Sequence, residues 1–251
     1  MTTPSYKDYF SKQSMGYSQY RPDYPGELFR YLAGLVVENN TVWDCATGTG
    51  QAARGLAAFF QRVIATDASD AQIQRFSSLQ EGISARVASA EDSGIEPQSV
   101  DLIVVAQALH WFDLERFYRE VRRVLKPGGV IAVWSYATLS ISPELDEIIG
   151  SLYRDVLGPY WPAERRLVET GYRELDFPFD RVEPPAFAMR CQWSLPHLLG
   201  YIETWSAMQR YRDIEGVNPL VEFAPKLQGQ WGADNRSRAI CWPLTMKVGR
   251  C

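Results

Sequence analysis

The chain has 251 residues, of which 46% are hydrophobic and 22% are charged, a composition typical of a packed globular protein with one α/β domain or two small ones. The formal net charge is -4, and no cluster of Lys and Arg residues is present, which argues against a nucleic-acid partner. We therefore expect a small molecule as the partner.

The cysteines and the apolar segments set further limits. The four cysteines show no CxxC pair and no metal-ligand spacing, so the sequence predicts neither a metal site nor a disulfide framework. The sequence lacks the apolar run of a signal peptide, and no segment is long and apolar enough to span a bilayer. These patterns predict a soluble, cytoplasmic protein with no membrane partner, present as a monomer or a homodimer.

The N-terminal part begins with a loop and continues into a helix. Residues 17–25 are rich in tyrosine and proline, which resist a regular helix and indicate an ordered loop. The residue types leave two interpretations open, a flap over a ligand or a surface coil. Apolar residues recur at spacings of three and four over residues 27–37, which predicts a helix that packs on a sheet.

The stretch from Val42 to Gly50 predicts a strand that runs into a tight glycine turn before a helix. The missing side chains of Gly48 and Gly50 let a ligand approach the backbone, and the helix N-terminus offers free N–H groups. This pattern is typical of a nucleotide or nucleoside site. Residues 48–53 also fit the GxGxxA fingerprint, so an NAD(P)-dependent oxidoreductase is one alternative.

The next strands bring acidic residues to the same edge. Residues 62–67 predict a buried parallel strand, and Asp67 at its end stands where a ribose would bind, about 20 residues after the glycines. Asp67 or Ser69 could instead cap the helix predicted at 68–76. A third strand at 83–89 leads to Glu91, and the apolar run at 100–107 predicts a central fourth strand.

After a helix at 113–125 and a fifth strand at 130–136, the strict alternation of strands and helices ends. Residues 141–251 predict several helices, an extended stretch at 182–193 and a last strand within 238–248. Five of the eight tryptophans fall in this half, where one or two of them could contact a ligand. We predict a single domain with an N-terminal flap (1–26), a cofactor-binding core (27–136) and a cap with the C-terminal strands (137–251).

Several motifs together resemble those of a known family. Asp44 before the glycine turn, Asp67, the turn at 90–92, the strand at 100–107 and the turn at 125–129 resemble class I S-adenosylmethionine-dependent methyltransferases over about residues 38–136. Segments 17–25, 107–112 and 204–207 are similar to the trans-aconitate methyltransferase-like, type 11 branch. Ala46 departs from the family motif, which often has glycine there.

The resemblance implies a fold, a cofactor and an activity. The fold is α/β and Rossmann-like, with a mostly parallel seven-stranded sheet, helices on both faces, an antiparallel last strand and helical cap elements. The cofactor is S-adenosylmethionine, and the activity is methyl transfer to a small-molecule acceptor, which can be a carboxylate. A non-catalytic S-adenosylmethionine-binding protein is a second alternative.

The resemblance also assigns roles to residues. Asp67 binds the ribose diol, Ala106 offers its carbonyl oxygen to the cofactor ammonium, and Arg21 pairs with the cofactor carboxylate unless it is an ordinary surface arginine. The full cofactor-binding set is Tyr17, Arg21, Asp44, Ala46, Gly48, Gly50, Asp67, Ala68, Ala90, Glu91 and Ala106.

Methyl transfer from a sulfonium is an in-line displacement, which gains most from alignment and from the exclusion of water. A carboxylate acceptor needs no base, whereas a hydroxyl or an amine must lose a proton. His110 is then the candidate base, although it could equally be a packing residue. The predicted acceptor contacts are Tyr20, His110, Trp111 and His197.

Overall fold

The computed structural model describes residues 20–76, 81–233 and 236–251. Tyr17 and most of the predicted flap lie outside these ranges. Nine strands occur in the described residues: β1 Thr41–Cys45, β2 Arg62–Asp67, β3 Ile83–Val87, β4 Val100–Ala106, β5 Leu125–Ser135, β6 Asp180–Val182, β7 Ala188–Trp193, β8 Arg238–Pro243 and β9 Thr245–Arg250.

Seven of these strands form one sheet in the order β3-β2-β1-β4-β5-β9-β6. Strands β1 to β5 pair in parallel, and β9 runs antiparallel to both β5 and β6. Six of the seven residues of β4 are buried, as expected for a central strand that is covered on both faces. The predicted Rossmann-like fold with an antiparallel last strand is confirmed.

Helices surround the sheet. They are α1 Gly26–Ala33, α2 Gln51–Leu56, α3 Asp70–Arg75, α4 Leu114–Val124, α5 Pro143–Ser151, α6 Arg165–Glu169, α7 Leu195–Glu203, α8 Ser206–Glu215 and α9 Leu220–Trp231. A 3-10 turn spans Leu109–Trp111. Alternate residues of β1 face opposite sides, because Val42 packs with α1 and α2 whereas Trp43 packs with Phe117 of α4.

Two predicted strands are each divided in the structure. The stretch at 182–193 separates into β6 and β7, because Pro184 and Pro185 lie between them and proline has no N–H for a sheet. The stretch at 238–248 separates at Leu244, between β8, which ends at Pro243, and β9. Strands β7 and β8 pair with each other in a separate antiparallel ribbon, so only β6 and β9 join the main sheet.

The second half of the chain forms its own apolar cluster over the carboxyl ends of the strands. Trp231 and Trp242 are fully buried in it and serve packing. Trp161 is only half-buried, and with Trp205 it lines a cavity. None of the helices in the described ranges has both the length and the apolar composition that crossing a membrane requires.

Candidate active site

A cavity of about 390 Å³ opens at the carboxyl ends of β1 to β5. Eight of the predicted site residues line it: Ala46, Gly48, Asp67, Ala68, Ala90, Glu91, Ala106 and Trp111. Parallel strands end at one edge of a sheet, which is why residues so far apart in sequence meet there. Asp44 and Gly50 support the turn and do not line the cavity.

The glycine turn after β1 is tied to the end of β2. The backbone N–H of Gly48 donates to Oδ2 of Asp67 over 2.9 Å, and the N–H of Ser69 donates to Oδ1 over 2.9 Å. Ser69 itself caps α3 by accepting from Gln72. The serine thus performs the capping role, and Asp67 is left to shape the turn and face the cavity.

The backbone at the site adopts conformations that L-residues rarely take. Gly50 has φ +86°, and a Cβ there would lie 2.0 Å from the Phe76 ring, so only glycine fits without movement. Ala46 has φ +57°, and Gln107 after β4 has φ +59°. The positive φ of Ala46 explains why glycine suits this position. Non-glycine residues with positive φ cluster at functional sites.

Asp44 lies beneath the turn and is fully buried. Its Oδ2 accepts a hydrogen bond of 2.6 Å from the Thr47 hydroxyl, while Oδ1 has no partner within the described residues. Burial raises the pKa of Asp44 to about 7, because the ionised form loses its hydration. Asp44 therefore supports the turn from below through its hydrogen bond with Thr47.

A smaller cavity of about 90 Å³ adjoins the larger one. Gln107, Trp111 and Tyr136 line both cavities. The remaining walls of the smaller cavity come mainly from the cap, and they are Arg21, His110, Ala137, Trp161, Pro162, Arg165, Tyr201, Thr204, Trp205 and Ser206. Two small molecules can therefore lie next to each other in one connected site.

The two cavities carry opposite charges. Among the described residues, the charged groups that line the larger cavity are Asp67, Glu91 and Glu164, all acidic. The smaller cavity has Arg21 and Arg165, and no described carboxylate lines it. The larger cavity therefore suits a cation and the smaller one an anion.

Aromatic and hydroxyl groups hold the two arginines. Nε of Arg165 donates to the Tyr153 hydroxyl over 2.7 Å, and its guanidinium carbon lies 5.0 Å from the Trp161 ring centre. Nη1 of Arg21 donates to the Tyr136 hydroxyl over 3.0 Å. Within the described chain, no carboxylate lies within ion-pair distance of Arg165. Its charge is thus available to a ligand.

His110 lies at the wall of the smaller cavity, on the 3-10 turn after β4. Its Nδ1 lies 2.8 Å from the hydroxyl of Tyr172. Burial, with a further contribution from the positive charge of Arg165, lowers the pKa of His110 to about 3. The imidazole is therefore neutral at physiological pH, and it is a weak base.

Tyr20 and His197 lie apart from both cavities. Their rings pack edge to face with centres 5.0 Å apart, and His197 also packs on Trp193. The role of these two residues as acceptor contacts stays a prediction that this arrangement does not favour. Arg21 lines the smaller cavity, so its pairing with the cofactor carboxylate also stays a prediction.

Sequence reasoning missed several residues of the site. Gln107 and residues 204–206 lie in motifs that the sequence singled out, and Tyr136 ends the predicted fifth strand, but Arg165 and Glu164 carry no local signal. Arg165 begins a short helix whose charged residues are typical of a surface helix. In the part of the chain that the structure describes, no three His, Cys, Asp or Glu side chains are grouped so that they could hold a metal ion.

A parallel sheet with this glycine turn, and with an acid at the end of its second strand, defines an α/β protein that binds a nucleoside cofactor. The larger cavity fits S-adenosylmethionine in particular. Its acidic lining complements a sulfonium and an ammonium, and the open space at Gly48 lets a ligand reach the backbone.

Comparison with known proteins agrees with this geometry. Residues 43–133 match the methyltransferase domain of the type 11 family. A Dictyostelium discoideum protein, named provisionally as a methyltransferase, is 30% identical over 230 residues, covering 90% of this chain and 87% of the relative. A Saccharomyces cerevisiae protein, provisionally named an S-adenosylmethionine-dependent methyltransferase, is 30% identical over 179 residues, covering 64% of this chain and 59% of that protein.

A solved structure from Anaeromyxobacter dehalogenans, described provisionally as a type II methyltransferase, has a TM-score of 0.87 and 43% identity, and it covers 92% of this chain and 97% of that one. The chain belongs to the class I S-adenosylmethionine-dependent methyltransferases, in the type 11 branch. It is therefore an enzyme with S-adenosylmethionine as its cofactor. This membership decides against the oxidoreductase and the non-catalytic binding protein.

Proposed function

We propose that this methyltransferase transfers the methyl group to a carboxylate oxygen of a small-molecule acceptor that binds in the smaller cavity. The observation that carries the proposal is the opposite charge of the two adjoining cavities, with acids lining the larger one and Arg21 and Arg165 lining the smaller one. A cationic acceptor, such as a protonated amine, would be repelled by the two guanidinium groups.

The larger cavity has groups for each part of the cofactor. In this proposal Asp67 accepts hydrogen bonds from the ribose hydroxyls, Glu91 and Ala90 lie beside the adenine, and the backbone of Ala46 and Gly48 contacts the amino-acid part. When bound, S-adenosylmethionine supplies a methyl group on a positively charged sulfur. The acidic lining stabilises that charge in the bound state.

The smaller cavity orients the acceptor and excludes water. Arg165 is held by Tyr153 and Trp161, so its guanidinium is ordered before the acceptor binds, which reduces the entropic cost of binding. Trp111 lines both cavities and covers the junction with an apolar surface. Because charge is lost in the reaction, an apolar junction favours the transition state over the separated ions.

The size of the smaller cavity supports a small acceptor. About 90 Å³ holds a carboxyl group with a short or flat substituent. The cavity walls come largely from residues beyond 136, which supports the division into a cofactor-binding core and an acceptor-binding cap within one domain.

Labelled cofactor and matched sets of small molecules test the proposal. Each set contains a carboxylic acid, the corresponding alcohol or phenol, and the corresponding amine, all incubated with the enzyme and methyl-labelled S-adenosylmethionine. We expect labelled product from acids alone. Transfer to alcohols or amines, with the acids inert, would contradict the carboxylate assignment.

A further inference from the structure

Tyr172 is placed against His110 by a tight turn at the end of α6. The turn consists of Gly171 and Tyr172, which have φ of +60° and +58°. The turn lies close to β9: a Cβ added to Gly171 would lie 2.5 Å from the Thr245 side chain. The side chain of Tyr172 is only 1% exposed. A non-glycine residue held in this conformation at a buried position is a costly arrangement that suggests a role in the site.

The surroundings of the Tyr172 hydroxyl determine which way its hydrogen points. Burial raises the pKa of Tyr172, so the phenol stays protonated. A phenol has one hydrogen and two acceptor positions. Within the described residues this hydroxyl has one hydrogen-bond partner, Nδ1 of His110 at 2.8 Å, so its hydrogen is directed to that nitrogen.

This arrangement selects one tautomer of His110. A neutral imidazole whose Nδ1 accepts a hydrogen bond carries its own hydrogen on Nε2. Within the described residues no hydrogen bond involves Nε2, and the imidazole lines the smaller cavity beside Arg165. The positive charge of Arg165 also opposes a second proton on the ring. The group that His110 presents to the cavity is then an N–H donor.

We infer that Tyr172 fixes His110 as a neutral Nε2–H donor that holds the acceptor carboxylate together with Arg165, and that no base acts in this cavity. The identity of the acceptor in this inference rests on the proposed function. Tyr172 is then a positioning residue, and the donor set selects acceptors that arrive already as anions. An alcohol or an ammonium would have to lose a proton, and none of the described residues that line the smaller cavity is placed to take it.

The step balances without a proton transfer. A carboxylate oxygen forms the bond to the methyl carbon while the methyl–sulfur bond breaks, and its electron pair stays on sulfur. The products are a neutral ester and a neutral thioether. An N–H donor on the other carboxylate oxygen would orient the acceptor during this displacement.

The tautomer can be measured without turnover. The chain has two histidines, His110 and His197. Long-range ¹H–¹⁵N spectra of the untagged protein at neutral pH give two imidazole patterns, and the variant His197→Gln assigns the one from His110. We expect a pyridine-like Nδ1 and a pyrrole-like Nε2. A pyrrole-like Nδ1 with a pyridine-like Nε2, or an imidazolium, would overturn the inference.

The variant Tyr172→Phe keeps the ring and removes the hydroxyl. We expect the His110 signal to lose its single-tautomer pattern and kcat/KM for a carboxylate acceptor to fall roughly tenfold, the loss of about one hydrogen bond. Cofactor affinity should not change. The control Tyr118→Phe removes a buried tyrosine hydroxyl that donates to the Asp176 carbonyl in the same apolar cluster.

The outcomes separate the two proposals. If Tyr172→Phe leaves the His110 tautomer unchanged, or if Tyr118→Phe alters it as much, the positioning role fails whatever the acceptor is. If the tautomer is as expected but no acid is methylated, the proposed function fails while the positioning of His110 by Tyr172 is supported.

Discussion

The backbone N–H of Gly48 and the carboxylate of Asp67 are joined by a hydrogen bond of 2.9 Å that connects the glycine turn after β1 to the end of β2. The same carboxylate accepts from the N–H of Ser69, so both of its oxygens are held in place. Asp67 also lines the cofactor cavity. One side chain thus shapes the turn and, in the proposed function, also contacts the cofactor.

Replacement of Asp67 tests this double role. We expect Asp67→Ala to weaken binding of S-adenosylhomocysteine by about 1.5–3 kcal/mol, the usual cost of losing hydrogen bonds to a charged group. Titration calorimetry measures the affinity. Asp70→Asn is the matched control, because Asp70 is an exposed acid on the next helix. Equal affinities for Asp67→Ala and the wild type would remove Asp67 from the cofactor site.

The two glycines of the turn should respond differently to alanine. Both have positive φ, which costs alanine about 1–2 kcal/mol. Gly50→Ala also forces a Cβ against Phe76, whereas Gly48→Ala meets nothing within 4 Å. We therefore expect Gly50→Ala to lower the free energy of unfolding in urea by about 1–3 kcal/mol more than Gly48→Ala does. Gly48→Ala should instead weaken cofactor binding, since Gly48 lines the cavity. The same loss of stability in both variants would contradict the Phe76 contact.

Asp44 should make stability depend on pH. The pKa of Asp44 is about 7 in the folded protein and 3.8 in the unperturbed side chain, so between these two pH values the folded state keeps a proton that the unfolded chain loses. The contribution of Asp44 to the free energy of unfolding therefore falls as the pH rises between these two values, by up to ~4 kcal/mol. We expect Asp44→Asn to abolish this contribution. Denaturation in urea at about pH 4.5 and about pH 8 measures the free energy of unfolding of both proteins.

The wild-type curve alone cannot isolate Asp44. The lowered pKa of His110 adds stability as pH rises from about 3 to 6.5, in the opposite direction. The relevant quantity is therefore the difference between the wild type and Asp44→Asn. If that difference is the same at both pH values, Asp44 does not titrate as described.

Arg165 should determine the affinity for the acceptor. We expect Arg165→Gln to raise KM for a carboxylate acceptor roughly 10–100-fold, as a charge-assisted hydrogen bond is lost, and to leave cofactor affinity unchanged. Steady-state kinetics and calorimetry measure the two quantities. The control Arg166→Gln removes the next arginine, which is 71% exposed and paired with Glu174. An unchanged KM in Arg165→Gln would show that the acceptor binds elsewhere.

Residues that line the larger cavity could be predicted from the sequence, because many of them stand at the ends of strands. Ala46, Asp67 and Glu91 each follow a recognisable parallel strand, and parallel strands bring such residues to one edge. The seven-stranded sheet was predicted from the resemblance to the methyltransferase family. The strand bounds near 182–193 and 238–248 were wrong, because the apolar pattern continues across the points where the chain passes between the main sheet and the two-stranded ribbon.

The residues in and around the smaller cavity could not be predicted in the same way. Arg165 and Tyr172 reach the site through the packing of α6 and the turn after it, and neither position follows a strand or a fingerprint. His110 lines the smaller cavity, but its pKa depends on burial and on Arg165, which lies 55 residues later. Tertiary packing fixes these relationships, and local sequence patterns do not contain them.

The most direct test of the account is the chemical nature of the methylated product. Methyl esters release their methyl group as methanol in mild alkali, whereas methyl ethers and N-methyl groups do not. With methyl-labelled cofactor and an accepted acid, the account predicts that the transferred label becomes volatile after alkaline treatment. A label that stays on the acceptor under the same treatment would contradict methyl transfer to a carboxylate.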